Sequence, residues 1–191
     1  PLEEGKYAFQ LGRYLDTGKL IRQTIHKRSK GNEKNPHAGD FAWLELVNMA
    51  IDGKKTFDTR DEAEQRARRE KAAALEMIFR SRISVLMGSA GTGKSTLLRA
   101  LCDIEHVRDA GILLLAPTGK ARVRLEQASG MPGKGQTIAQ FLNGLSRYDG
   151  ATGRYYMNPE AGKSAVHKTV VIDESSMLTE EQLAAVLDAV S

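Results

Sequence analysis

Ile83-Ser84-Val85-Leu86-Met87-Gly88-Ser89-Ala90-Gly91-Thr92-Gly93-Lys94-Ser95 is the stretch on which the fold turns. An apolar run ends at a glycine, and Gly88, Gly93, Lys94 and Ser95 then satisfy the pattern G-x-x-x-x-G-K-[ST]. The following residues, Ser95 to Cys102, read as a helix. Glycines let the backbone curl so that successive N–H groups face phosphate oxygens. A helix opening near Lys94 adds the positive end of its dipole. The Lys94 ammonium suits the β- and γ-phosphates, and the Ser95 hydroxyl suits a Mg²⁺ ion bridging them. Gly88, Ala90, Gly91, Thr92, Gly93, Lys94, Ser95 and Thr96 are therefore the candidate nucleotide contacts. The competing reading is a Gly-rich turn that happens to precede a lysine. The apolar run before it and the helix after it argue against that.

Outward from the loop, the same grammar repeats. Ile112 to Ala116 and Thr169 to Ile172 are two more short apolar runs without alternation. Such runs suit strands buried on both faces, as in a parallel sheet between helix layers. Helical stretches fall between them at Lys120–Ala128 and Thr137–Leu145. Strand alternating with helix predicts an α/β fold. Tyr148 to Tyr156 holds Asp149-Gly150 and Thr152-Gly153, which are turn signals for a hairpin or a looser excursion. Thr179 with Gln182 fits a capping box that opens a last helix through about Ala189.

The third run ends in Asp173-Glu174. Ligands of a doubly wound sheet bind beyond the carboxyl ends of its strands. Asp173 is the candidate carboxylate for Mg²⁺, and Glu174 the candidate base that orients the attacking water. With Lys94 they form the candidate catalytic set for hydrolysis of a nucleoside triphosphate. An Asp-Glu pair that merely begins a loop is the bland alternative.

The N-terminal part reads differently. Residues 5 to 28 carry Leu11, Tyr14, Leu15, Ile21 and Ile25 at helical spacing, with a break expected at Gly18. Ser29 to Asp40 is a polar stretch with two glycines and a proline, expected to be an exposed loop. Phe41 to Ile51 predicts a short packed helix. Thr59 with Glu62 fits a capping box that starts a helix running to about Phe79. Its charged first half, Arg60 to Lys71, reads as a solvated face. The organisation expected is a helical extension over 1–58 and a motor-type domain over 59–191. The chain opens at Pro1 without Met and closes just after a helical stretch, so it is expected to be part of something longer.

Composition narrows the class. The chain has 191 residues, 41% hydrophobic and 27% charged, enough for a packed core. No run approaches the roughly 20 apolar residues of a membrane helix, so no membrane partner is expected. Cys102 is the single cysteine, which excludes an internal disulfide and predicts a reducing, cytoplasmic setting. Its neighbours Leu98 and Leu101 predict a buried, structural thiol. A net charge of +4 is compatible with a polyanionic partner without requiring one.

Four segments occur in order: the phosphate loop; Leu115-Ala116-Pro117-Thr118-Gly119-Lys120-Ala121; Gln136-Thr137-Ile138-Ala139-Gln140-Phe141-Leu142; and Val171-Ile172-Asp173-Glu174-Ser175-Ser176-Met177. This ordered set closely resembles the RecD-like DNA helicases of superfamily 1B, including the exodeoxyribonuclease V alpha subunit. The resemblance is strongest over residues 70 to 180. The excursion Tyr148 to Asn158 resembles a turn that precedes the family's acidic pair. Arg13-Tyr14-Leu15 resembles a segment joining the family's N-terminal and first motor domains. The resemblance implies a RecA-like P-loop domain that uses ATP and Mg²⁺ to move 5′ to 3′ along single-stranded DNA. It implies DNA contacts at Pro117, Thr118, Lys120, Gln136, Thr137 and Gln140. It also implies a second motor domain that closes the ATP cleft, so that this chain alone hydrolyses ATP slowly or not at all. Two positions depart from the pattern. The register of the family's adenine-reading glutamine falls on Lys71, with Gln65 six positions earlier, and Ala139 stands where the family often has His.

Other nucleotide-dependent classes fit less well. A GTPase needs an Asn-Lys-x-Asp segment, and a small-molecule kinase needs an Arg-rich lid; neither is present in the sequence. A nucleotide-dependent regulatory module without helicase activity stays open as an alternative.

Overall fold

The computed structural model describes residues 12–30, 41–56, 61–89 and 91–190. Three helices come first: α1 (Gly12–Ser29), α2 (Trp43–Asp52) and α3 (Glu62–Arg80). After the phosphate loop come α4 (Lys94–Asp103), the short α5 (Glu105–Asp109), β1 (Ile112–Ala116), α6 (Gly119–Ser129), β2 (Gly135–Thr137) and α7 (Ile138–Asn143). A hairpin of β3 (Tyr148–Asp149) and β4 (Arg154–Tyr155) leads to β5 (Thr169–Ile172), a 3₁₀ turn at Ser175–Met177 and α8 (Glu180–Val190).

β2, β1 and β5 form a parallel sheet in that order. β1 is its centre, and all five of its residues are buried. Its side chains divide between two cores. Ile112, Leu114 and Ala116 face one built from α2, α3, α4 and α6, with Val47, Leu75, Phe79, Leu97 and Leu125. Leu113 and Leu115 face another, with Ile138 and Leu142 of α7 and Ala185, Val186 and Ala189 of α8. That period-two split of a wholly apolar run is what a strand covered on both faces requires. The parallel three-stranded sheet flanked by helices is the α/β P-loop architecture expected from the sequence.

The three apolar runs nevertheless have different fates. β1 is fully covered, while β5 is only half-buried along its length. Ile83 to Met87, expected to be a strand, belongs to neither sheet. A strand exists only where a neighbour completes its ladder. β5 is an edge strand of the sheet, and among the described residues no segment bonds the 83–87 backbone. Val85 and Met87 are accordingly 78% and 85% exposed.

Helix ends follow local chemistry. α3 starts two residues later than the Thr59–Glu62 reading. Asp61 is the N-cap, its Oδ1 accepting from Ala63 N at 2.9 Å and Glu64 N at 3.4 Å. Thr59 itself lies outside the described residues. α7 opens on a full capping box between Thr137 and Gln140. Thr179 and Gln182 exchange the same pair of bonds at the start of α8. α1 continues through Gly18 without the expected break, and the Arg22 guanidinium covers that position. α1 packs on α8, and Arg28 donates to Val190 O at 3.3 Å. Leu11 and most of the Ser29–Asp40 stretch lie outside the described residues; Ser29 itself ends α1.

The charged half of α3 is not wholly a solvated face. Arg68 is 4% exposed and bridges Glu64 (2.7 Å), Asp52 (2.7 Å) and Asn48 (3.1 Å). It ties α3 to α2, beside an aromatic cluster of Phe41, Trp43 and Phe79. Burying a guanidinium is tolerable because carboxylates compensate it. Cys102 is buried as expected, and that burial, with Asp103 adding to it, pushes its thiol up to about 11.

Candidate nucleotide-binding site

The phosphate loop turns through Gly91 (φ 81°) and Gly93 (φ 89°), a region that side chains with a Cβ rarely adopt. Gly93 is the N-cap of α4 and offers no side-chain partner to the first-turn N–H groups. Those donors are thus available to an anion at the helix N-terminus. The loop is closed by its own side chains. Thr92 Oγ1 donates to Ser89 O at 2.9 Å, and Lys94 Nζ donates to Gly88 O (2.7 Å) and Ser89 O (2.8 Å). The ammonium therefore spans the loop. Phosphate oxygens would replace these neutral acceptors with anionic ones, giving shorter and stronger bonds. Ser95 is exposed in the first turn of α4 and Thr96 half-buried beside it. Ala90 lies outside the described residues.

A pocket of about 200 Å³ adjoins the loop. Thr92, Lys94 and Leu97 form one wall, Leu86 and Met87 another, and Ala67, Glu70, Lys71 and Ala74 of α3 a third. The loop motif names none of the α3 residues. Their spacing at i, i+3, i+4 and i+7, one face of a helix, is the sequence signal that groups them.

The remaining candidates collect at one edge of the sheet. The parallel register sets Ala116 beside Thr137 and Leu115 beside Ile172, so the segments following β1, β2 and β5 leave on the same side. After β1, Pro117 leads to Thr118, whose Oγ1 caps α6 by accepting from Ala121 N at 3.2 Å. Lys120 is exposed in the first turn of α6. Arg122 is paired with Glu126 at 2.9 Å, and Glu126 also accepts from Gly135 N at 3.0 Å. Within β2, Gln136 is exposed. The Thr137 and Gln140 side-chain oxygens accept from each other's backbone N–H groups, at 3.2 and 2.9 Å. The Thr137 hydroxyl proton and the Gln140 NH₂ group remain to donate outward.

After β5, Asp173 N donates to Leu115 O at 3.0 Å, which prolongs the ladder by one residue. Asp173 Oδ1 accepts from Glu174 N at 2.9 Å. Glu174 is exposed and sits at φ 52°, ψ 35°, in the left-handed region. Non-glycine residues seldom occupy it without a reason in the surrounding structure. The carboxylates leave the sheet beside the Pro117–Lys120 loop. Among the described residues, no hydrogen bond or ion pair links the phosphate loop to Asp173 or Glu174.

Among the described residues no group of three or more His, Cys, Asp or Glu could cage a metal. The oxygen donors expected for a metal are one hydroxyl and one carboxylate, those of Ser95 and Asp173. Such a set fits Mg²⁺, which keeps waters and takes the rest of its oxygens from phosphates.

The AAA-domain family profile matches residues 66–191, more than half of the chain. The chain belongs to the AAA-domain family. As an AAA domain it falls among P-loop ATPases and helicases, and its relatives sharpen the likeness. It is 32% identical over 121 residues to the ATP-dependent RecD2 DNA helicase of Deinococcus radiodurans, covering 63% of this chain and 16% of that protein. It is 29% identical over 138 residues to the RecBCD enzyme subunit RecD of Mycolicibacterium smegmatis, covering 63% and 25%. An uncharacterized protein of Methanocaldococcus jannaschii is 22% identical over 95% of this chain and 16% of its own. This AAA domain thus spans a quarter or less of the length of these relatives. Among the described residues no helix is long and apolar enough to cross a membrane.

Proposed function

We propose that this AAA domain is the ATP-hydrolysing first motor domain of a RecD-type helicase that moves 5′ to 3′ on single-stranded DNA. Residues 59–191 would form the motor and residues 1–58 an extension leading to it. The observation that carries the reading is the shared edge of the parallel sheet, where Asp173-Glu174 and the Pro117–Lys120 loop emerge together.

The chemistry follows from the side chains. Lys94 and the N–H groups of the glycine loop hold the β- and γ-phosphates of ATP. Ser95 Oγ and Asp173 would hold Mg²⁺, which would supply charge neutralisation to the phosphates. Glu174 orients a water and takes its proton as the new P–O bond forms and the bond to the leaving phosphate breaks. Pro117, Thr118, Lys120, Gln136, Thr137 and Gln140 would hold the sugar-phosphate backbone. They would do so without reading sequence, because hydroxyls, N–H groups and a lysine address phosphate and not base edges. A second motor domain would close the cleft, so the 191-residue chain alone is expected to turn over ATP slowly or not at all.

The test is ATPase activity of the natural protein containing this chain, with single-stranded DNA, with RNA and with neither. Stimulation by DNA is expected. Equal rates in all three conditions would favour a nucleotide-dependent module over a motor.

A further inference from the structure

Lys71 reaches the phosphate loop from outside it. It lies on the pocket face of α3, and its side chain runs across Gly93, where an added Cβ would meet Lys71 Cε at 2.5 Å and Nζ at 3.6 Å. Gly93 is the N-cap of α4, so the Lys71 side chain lies against the residue that opens a helix whose first-turn N–H groups have no side-chain cap. Lys94 lines the same pocket. No ion pair of Lys71 is recorded among the described residues, whereas Arg68 and Arg80 on the same helix are paired with carboxylates. Glu70 is the acidic group on the pocket wall, and it is exposed. Two ammoniums and a set of N–H donors against one solvated carboxylate leave this mouth positive.

We infer that Lys71 is a second phosphate-binding lysine, which supplements Lys94 by holding a nucleotide's phosphate chain over the N-terminus of α4. This rests on the nucleotide reading of the loop and adds to it. The positive charge at this mouth comes from two different elements, the loop and α3. A lysine serves because its ammonium is a compact point charge on a flexible stem, able to follow a phosphate. The inference implies that tripolyphosphate, which has no base or sugar, competes for much of what binds the nucleotide.

The full chain would be titrated with fluorescent Mg-ATP and with tripolyphosphate as competitor, at two salt concentrations. Lys71→Met keeps the apolar stem over Gly93 and removes the charge. It is expected to weaken both ligands about tenfold and to flatten the salt dependence. Lys71→Arg is expected to stay within about threefold of the parent, since it keeps the charge. Lys94→Ala serves as reference, and thermal melts report folding of every variant. If Lys71→Met binds both ligands as the parent does while Lys94→Ala loses them, Lys71 is mere packing, the inference is overturned and the loop reading survives. If the parent chain binds neither ATP nor tripolyphosphate, both fall.

Discussion

Arg147 and Asp188, forty-one residues apart, meet in the interior with Nε to Oδ2 at 2.8 Å, and the arginine is fully buried. The guanidinium also donates to the carbonyls of Leu145, Asn158, Ala161 and Gly162, at 2.9 to 3.3 Å. Asp188 accepts in addition from Asn158 N at 2.9 Å. One side chain thus gathers the segment that carries the β3–β4 hairpin onto α8.

Breaking this pair from one side leaves a buried charge uncompensated. Asp188→Ala or Arg147→Met is expected to destabilise the fold by about 3–5 kcal/mol. The arginine change also strands four carbonyls. Urea unfolding followed by circular dichroism measures both. A loss under about 1 kcal/mol in either variant would mean that water enters and solvates the remaining partner.

Lys94→Ala is expected to lower ATPase of the natural protein by roughly a hundredfold or more, the scale of losing one charge-stabilising donor. Folding should be untouched, because among the described residues Lys94 bonds only to carbonyls of its own loop. Glu174→Gln should keep ATP binding and lose turnover, which separates water activation from phosphate holding. An unchanged ATPase in Lys94→Ala would sink the loop assignment.

Lys120→Ala is expected to weaken single-stranded DNA binding similarly for all sequences. The slope of log affinity against log salt should fall by about one unit, since one phosphate contact is lost. Arg122→Ala should do less, because Arg122 is already paired with Glu126. Fluorescence anisotropy across a salt series distinguishes the two. An identical slope for Lys120→Ala and the parent would remove Lys120 from the DNA path.

The Cys102 thiol, raised by burial to about 11, gives a pH dependence with a definite sign. The unfolded thiol ionises near 9 and the folded one near 11, so the folded state retains the proton longer. Its contribution to stability is complete below about 9 and is lost as pH rises through 11. Denaturation midpoints between pH 8 and 11 should therefore fall less steeply in Cys102→Ala than in the parent. Native alkylation by iodoacetamide should be slow until the chain unfolds.

What the sequence made legible was local. The glycine loop, the Thr137–Gln140 and Thr179–Gln182 caps and the Asp149-Gly150 hairpin each depend on residues a few positions apart, so their partners sit in one short window. β1 was legible because five apolar residues in a row admit little but two-sided burial. Ile83 to Met87 is apolar at four of its five positions, but pairing is decided by neighbours distant in the chain. The buried arginines were opaque for a related reason. Nothing near Arg147 announces Asp188, and only the Glu64 four positions before Arg68 hints at one of the three partners described for it. Lys71 drew notice by its register alone; its place over Gly93 depends on how α3 packs against α4.

The bond from Asp173 N to Leu115 O fixes position 173 through the main chain. Every residue except proline keeps that N–H. At 173, the position proposed to hold the metal, a series of Asn, Glu, Ser and Cys would present different ligands from one unmoved Cα, so their order of metal preference would report coordination chemistry with little contribution from refolding of the loop. That makes this backbone amide the fixed origin from which the chemistry of the acidic edge can be varied one atom at a time.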